Sequence, residues 1–238
     1  MQTKLRGTIL WLAGWGLPLT VFNPLRHLLP DFQHIDVDYS AIPSSEALLQ
    51  LTEKAAKEAM SLNSGPLIIG GWSLGGLLAL RLAAQGLADG LLLLASTAKF
   101  TRPIEQNNLG WADRYVRRMI AGLGANPQQT EWKFRSLAFT DEESALCPPV
   151  GSWTTPALIA GLEVLRHVEC LSLLPEIGQP ALVVHGTGDA VCPYAAAEEL
   201  YARLPRADLL AIPGSGHAPF LGREAFLAGS FRSWWNEQ

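Results

Sequence analysis

The sequence predicts an α/β protein, with about six mainly parallel strands, helices on both faces of the sheet and a helical segment inserted late in the chain. Three observations lead there. Short apolar runs, such as Leu91-Leu92-Leu93-Leu94-Ala95, carry no polar alternation, which is the pattern of strands buried on both faces. Helical stretches separate these runs, giving β-α-β-α-β-α-β, and that order requires parallel crossovers. Finally, about eighty residues, 98–179, hold helical patterns and no convincing core strand, too much chain for a loop.

The bulk numbers suit this reading. The chain has 238 residues, 48% of them apolar or aromatic and 17% charged, enough for a sizeable core and unlike a disordered composition. A net charge of −4 offers no general attraction to nucleic acid or to an anionic membrane. Three cysteines, Cys147, Cys170 and Cys192, stand far apart and out of metal-ligand spacing, which points to a reducing compartment and a cytoplasmic protein. Lys4 and Arg6 before the apolar run 8–13 imitate a signal peptide. The run is short, however, and Gly14-Trp15-Gly16 replaces a cleavage site, so a first strand is expected. No run reaches the length of a membrane-spanning helix.

Each element follows in order. The first strand, 8–13, ends in Gly14-Trp15-Gly16-Leu17-Pro18. Thr20 is placed to cap a helix over about 21–29, stopped by Pro30. The second strand is expected over 33–38. Ser44 then reads as the cap of a helix with Glu46 in its first turn and Leu48, Leu51, Ala55 and Ala59 on its apolar face. Asn63-Ser64-Gly65-Pro66 ends that helix. Leu67 opens the third strand, Leu91 the fourth. Helices are expected over about 106–122, 127–139 and 154–167, with a turn at 171–174. The pattern then resumes with a strand over 180–186, a helix over 194–204, a strand over 208–212 and a helix over 223–235. The expected domains are a core of 1–97 and 180–238 and a helical cap, or lid, of 98–179.

Residues Gly71-Trp72-Ser73-Leu74-Gly75 fit G-x-S-x-G, the strand-to-helix turn that thrusts a serine clear of a sheet. Chance supplies the pattern in roughly one such sequence in ten, so its specificity comes from the apolar strand before it and the helix after it. Such a serine needs a base and the base needs an orienting acid, in the chain order Ser, acid, His. Asp189 follows the 180–186 strand and His217 follows the 208–212 strand, both at carboxyl ends of parallel strands. His27 and His34 precede the serine, His167 lies in the cap, and His185 at a strand end reads as a structural partner of the Asp189 loop. The expected triad is therefore Ser73, Asp189 and His217. Backbone N–H groups of Leu74 and Trp15 are the candidates for an oxyanion hole. This chemistry needs no metal and no organic cofactor.

These residues give the chain a resemblance to the α/β-hydrolase carboxylesterases. Within them it resembles the biotin-pathway esterases that act on pimeloyl-[acyl-carrier protein] methyl ester. The resemblance rests on Gly14-Trp15-Gly16, Gly71-Trp72-Ser73-Leu74-Gly75-Gly76, Gly161-Leu162-Glu163-Val164-Leu165, Asp189 with Val191 and Pro193, and His217-Ala218-Pro219-Phe220. Ala13 stands where many relatives carry a His, Ser40-Ala41-Ile42-Pro43 stands in place of a Gly-rich turn, and the first expected strand is the parallel one over 8–13 rather than one of the usual leading hairpin. The resemblance implies an α/β-hydrolase fold and an esterase that leaves a pimeloyl-carrier product and methanol. A general short-chain esterase, an acyl thioesterase and a non-catalytic binding protein of the same fold stand as alternatives.

The cap would decide the substrate. Trp15, Trp111, Phe139, Trp153 and Val191 are the expected substrate-binding residues, with Trp132 and Phe134 as further aromatic candidates, although the same side chains would equally serve to pack the cap onto the core. Arg114, Arg117 and Arg118 share one helix face at i, i+3 and i+4 and could receive an acidic acyl carrier protein, or could simply be solvated.

Overall fold

The computed structural model describes residues 5–62 and 65–238, so Lys4 and the expected Asn63-Ser64 turn lie outside the described residues. Among the described residues six strands form one sheet: β1 (Thr8–Leu12), β2 (Gln33–Asp36), β3 (Leu67–Trp72), β4 (Gly90–Leu94), β5 (Ala181–Gly186) and β6 (Ala207–Ile212). Their spatial order is β2-β1-β3-β4-β5-β6, and every neighbouring pair is parallel. Every residue of β1, β3, β4 and β5 is buried, although successive side chains point to opposite faces, so both faces are covered. The edge strands β2 and β6 are only partly buried.

The parallel arrangement gathers the carboxyl ends of the strands along one edge. Register pairs Leu12 with Gly71, Trp72 with Leu94, Leu94 with Val184, and Gly186 with Ile212. The chain runs outward from β1 to β2 and returns to pair β3 with β1, so the strand order reverses beside β3. Open parallel sheets form a crevice at such a reversal.

Nine α-helices accompany the strands among the described residues. They are α1 (Asn23–His27), α2 (Ser45–Ser61), α3 (Leu74–Ala84), α4 (Asp113–Ala125), α5 (Pro127–Ala138), α6 (Asp141–Leu146), α7 (Thr155–His167), α8 (Tyr194–Arg203) and α9 (Glu224–Asn236). In α3 all but Arg81 and Ala84 are buried, as a helix apolar on every side requires.

Four expectations are corrected. The helix over 21–29 is a 3-10 turn, Leu19–Phe22, followed by the short α1, and Thr20 caps neither. Pro24 sits in the first turn of α1. A proline has no N–H to give to a helix interior, so the chain starts a new helix there. Ser44 does cap α2, its Oγ accepting the Ala47 N–H at 3.2 Å. The buried face is Leu48, Thr52, Ala56 and Ala59, with Leu51 and Ala55 on the flank. Thr52 turns inward because its hydroxyl donates to the Leu49 carbonyl at 3.0 Å.

The other two corrections fall between β4 and β5. The helix expected from 106 starts at Asp113, because the preceding residues bond sideways: Trp111 N–H donates to Phe100 O at 2.9 Å and Arg102 N–H to Trp111 O at 2.7 Å. A further helix, α6, begins at a reciprocal capping box of Thr140 and Glu143. The two ends of the stretch between β4 and β5 meet: Cys170 N–H donates to Ala98 O at 2.8 Å, and Lys99 bridges to Glu169. The segment is clasped to the core by Trp15 Nε1–H to Leu158 O at 2.7 Å and Trp153 Nε1–H to Leu17 O at 3.0 Å.

Candidate active site

The turn from β3 into α3 is tight enough to exclude side chains. A Cβ on Gly71 would lie 2.3 Å from the Gly75 carbonyl oxygen, and one on Gly75 would lie 2.0 Å from the Leu12 carbonyl oxygen. Between them Ser73 takes φ 55° and ψ −112°. Such a conformation costs a non-glycine residue about 1–3 kcal/mol and persists only where its surroundings fix it. Here Ser73 N–H donates to Leu94 O at 2.9 Å, and Ser73 O accepts from Gly76 and Leu77 N–H at 2.9 and 3.1 Å.

Ser73, Asp189 and His217 converge above this turn. Ser73 Oγ lies 2.8 Å from His217 Nε2, and His217 Nδ1 lies 2.7 Å from Asp189 Oδ2. All three are buried. The other carboxylate oxygen, Asp189 Oδ1, accepts N–H bonds from Val191 at 2.8 Å and Cys192 at 2.9 Å. Burial alone would raise the Asp189 carboxyl pKa, but the attraction of His217 and hydrogen bonds from His185 and His217 outweigh it and hold the group well below the usual carboxylate range. Asp189 therefore stays ionised facing Nδ1, which places the imidazole proton on Nδ1 and leaves Nε2 free to accept from the serine.

His185 bonds to the acid's loop as the sequence suggested, with Nε2 2.7 Å from Cys192 O and 3.4 Å from Asp189 Oδ2. Sequence reasoning missed two contacts that fix the backbone of His217. The indole N–H of Trp72 donates to His217 O at 2.7 Å, and His217 N–H donates to Ala138 O at 2.8 Å. A tryptophan next to the nucleophile was the available signal for the first; nothing in the sequence marks the Ala138 carbonyl.

Leu74 is the first residue of α3, where an N–H has no intrahelical partner and the helix dipole is positive. Gly14 packs on Trp72 and Ser73, which brings the turn carrying Trp15 beside the nucleophile. That turn is closed by Leu17 N–H to Gly14 O at 3.3 Å, and its far side is held by Arg135 Nη2–H to Gly16 O at 2.8 Å.

A small apolar cavity of about 10 Å³ lies over Ser73. Trp15 and Val191 line it, together with Phe100, Met119, Phe134 and the α7 residues Leu162 and Leu165. Trp111, Phe139 and Trp153 lie outside it. Trp111 packs against Phe100 and Phe134, with ring centroids 5.4 and 6.4 Å apart. Phe139 is buried against Trp72, and Trp153 lines a separate polar pocket with Tyr39. Trp132 is exposed. Gly161, from the α7 pentapeptide, admits the edges of Trp15 and Leu74.

Met119 and Phe134 also form a wall of a larger groove of about 640 Å³ between α4 and α5. Arg118 and Lys133 stand in that groove. Of the other arginines on α4, Arg117 pairs with Asp113 at 2.9 Å and Arg114 lies over the ring of Tyr115 at 4.9 Å. All three are exposed. Among the described residues no helix is long and apolar enough to cross a membrane, and no group of three or more His, Cys, Asp or Glu side chains could hold a metal ion.

A parallel sheet, an elbow serine, and an acid and a histidine delivered by the last two strand loops define an α/β-hydrolase. The pattern of the Alpha/beta hydrolase family matches residues 9–229, and the chain belongs to that family. It is 31% identical over 232 residues to a pimeloyl-[acyl-carrier protein] methyl ester esterase of Nitrosomonas europaea, covering 90% of this chain and 89% of the relative. A protein of the same description from Aromatoleum aromaticum is 30% identical over 236 residues, covering 91% and 93%. Among solved structures, an esterase from Exiguobacterium antarcticum superposes with a TM-score of 0.81 at 20% identity, over 97% of this chain and 92% of that one, a likeness of fold.

Proposed function

We propose that the chain is a serine carboxylesterase that removes the methyl ester of pimeloyl-[acyl-carrier protein], the reaction for which its relatives are named. One observation carries the chemistry: the hydrogen-bonded line from Ser73 Oγ through His217 to Asp189, ending under an apolar cavity. Ser73 Oγ attacks the ester carbonyl as His217 Nε2 takes its proton. Asp189 stabilises the imidazolium that forms. The N–H groups of Leu74 and Trp15 receive the negative charge on the carbonyl oxygen. The C–O bond to methanol breaks as His217 returns the proton to the leaving oxygen. Water, deprotonated by His217, then releases the acid and restores the serine.

Residues 98–179 act as a cap in this reading. A cavity of about 10 Å³ admits about one water molecule, so a pimeloyl chain needs Met119 and Phe134 to move aside. The α4–α5 groove on their far side then leads outward past Arg118 and Lys133, where an acidic carrier protein finds complementary charge, with Arg114 and Arg117 beside it. The reaction calls for no cofactor.

The test is to incubate the protein with carrier-bound pimeloyl methyl ester and weigh the products. Free carboxylate on an intact carrier bond supports the proposal. Loss of the carrier bond with the methyl group retained identifies a thioesterase instead, and turnover of small esters alone identifies a general esterase.

A further inference from the structure

The loop that carries His217 is held by a buried acid from the inserted segment. Glu143, on α6, is 1% exposed. A carboxylate removed from water is costly unless its oxygens are well bonded. Glu143 forms no ion pair among the described residues. Its oxygens are satisfied instead by directed donors: Oε1 accepts from Ser215 Oγ–H at 2.5 Å and from Gly216 N–H at 2.7 Å, and Oε2 accepts from Thr140 N–H at 3.2 Å.

The bland explanation is that Glu143 merely completes the cap of α6. A capping box uses one oxygen, however, and here that is Oε2. Oε1 is spent wholly on Ser215 and Gly216, the two residues before His217. The same stretch of the insertion supplies Ala138 O, which accepts the His217 N–H at 2.8 Å. Three consecutive residues of the histidine loop are thus held from one side by residues 138–143. Gly216 is needed for this fit, since a Cβ there would lie 2.6 Å from Glu143 Oε2 and 2.9 Å from Ala138 O. On the other side Ser215 O accepts the Gly188 N–H of the Asp189 loop at 2.9 Å. Ser215 therefore links the acid's loop to Glu143.

We infer that Glu143 is a positioning residue for His217, acting through Ser215 and Gly216, so that the insertion helps set the base as well as the substrate; this rests on the Ser73–His217–Asp189 reading above. A misplacement of about 1 Å in such a base costs about a hundredfold in rate. Charge-assisted bonds of this kind are short and directional, and suit the task.

The test measures kcat and KM on p-nitrophenyl acetate, with the number of working sites counted by fluorophosphonate labelling of Ser73. Glu143→Ala should lower kcat per labelled site about 10- to 100-fold with KM within about twofold. Glu143→Gln keeps an oxygen for Ser215 and Gly216 and should restore most of that loss. Thr140→Ala weakens the α6 cap while leaving the Oε1 bonds, and should lower Tm without lowering kcat per labelled site. If Glu143→Ala does not fold, Ser215→Ala carries the test, with an expected loss of about 3- to 10-fold in kcat per site. An unchanged kcat per labelled site in Glu143→Ala and Ser215→Ala, or a loss confined to KM, overturns the inference while the esterase reading stands. Absence of Ser73 labelling in the wild-type protein overturns the esterase reading itself, and the inference with it.

Discussion

The two walls of the cavity over Ser73 are built differently. One side is the elbow that presents Ser73, where the flanking Trp72 and Leu74 are fully buried and glycines are fixed by contacts of 2.3 Å and 2.0 Å that a Cβ would make. The other is the inserted segment, whose α4 and α5 leave Tyr115, Trp132 and Leu137 substantially exposed. Packing that admits no extra methyl group holds a nucleophile in a strained conformation. A looser pair of helices can part to admit a chain, because less buried surface opposes the motion. In the proposed reading the core carries the chemistry and residues 98–179 the selection, with residues 138–143 tied to the chemistry through the His217 loop.

The sharpest way to break that division is Ser73→Ala. It should lower kcat about 10⁶-fold on every ester, small or carrier-bound, while the Tm stays level or rises. Ser73→Gly should be more stable than the wild type by about 1 kcal/mol, because glycine relieves the positive φ. Thermal unfolding and ester assays on the same preparations check both statements; a fall in Tm with Ser73→Gly would deny that the elbow stores strain.

Phe134→Ala tests the other wall. It removes the partition between the cavity and the groove, and should change the kcat/KM ratio between long and short acyl esters about tenfold while kcat on acetate esters stays within about threefold. An equal loss on all chain lengths would place Phe134 with the chemistry, next to the His217 ring it meets edge-on at 6.4 Å. Smaller again, reversing charge at Arg114, Arg117 and Arg118 should raise KM several-fold for the carrier-bound substrate and leave p-nitrophenyl acetate unaffected. Arg118 should account for most of it, since the other two already have partners in Asp113 and Tyr115.

The least effect is expected from Glu131→Gln on α5, read as stability against pH. Burial raises the Glu131 carboxyl pKa above its unfolded value, with partial opposition from the Gly151 N–H and Arg135. The folded state favours the protonated acid, so the wild type loses stability as pH rises through that raised value. Glutamine cannot ionise. The variant should match the wild-type Tm near pH 4 and exceed it at pH 8; a gap that is constant with pH would remove ionisation of Glu131 as the cause.

The same contrast explains what the sequence disclosed. A parallel strand must be apolar on both faces, so β1, β3, β4 and β5 stood out as unbroken runs. Ser73, Asp189 and His217 were legible because strand ends bring distant loops together in a known order. Helix periodicity, by comparison, says which face of α4 or α5 is apolar and not what that face meets. Phe139 and Trp153 were therefore read as lining the site, whereas Phe100 and Met119 line the cavity over Ser73 and Trp111 lines the groove beyond it. Some signals were present and unused. Pro24 announced the break before α1, and Thr140-Asp141-Glu142-Glu143 spelled the capping box of α6. The second oxygen of Glu143, reaching 72 residues along the chain to Ser215, had no local signature.

The proposed chemistry rests on a strained Ser73 activated by His217 in the folded core. Its most direct test is the mass of the peptide bearing Ser73 after brief exposure of the native protein to a fluorophosphonate. One label per chain is expected, on Ser73, formed rapidly in the wild type, greatly slowed in His217→Ala, and absent after thermal unfolding. Labelling elsewhere, no labelling of the native protein, or an equal rate in His217→Ala would contradict it.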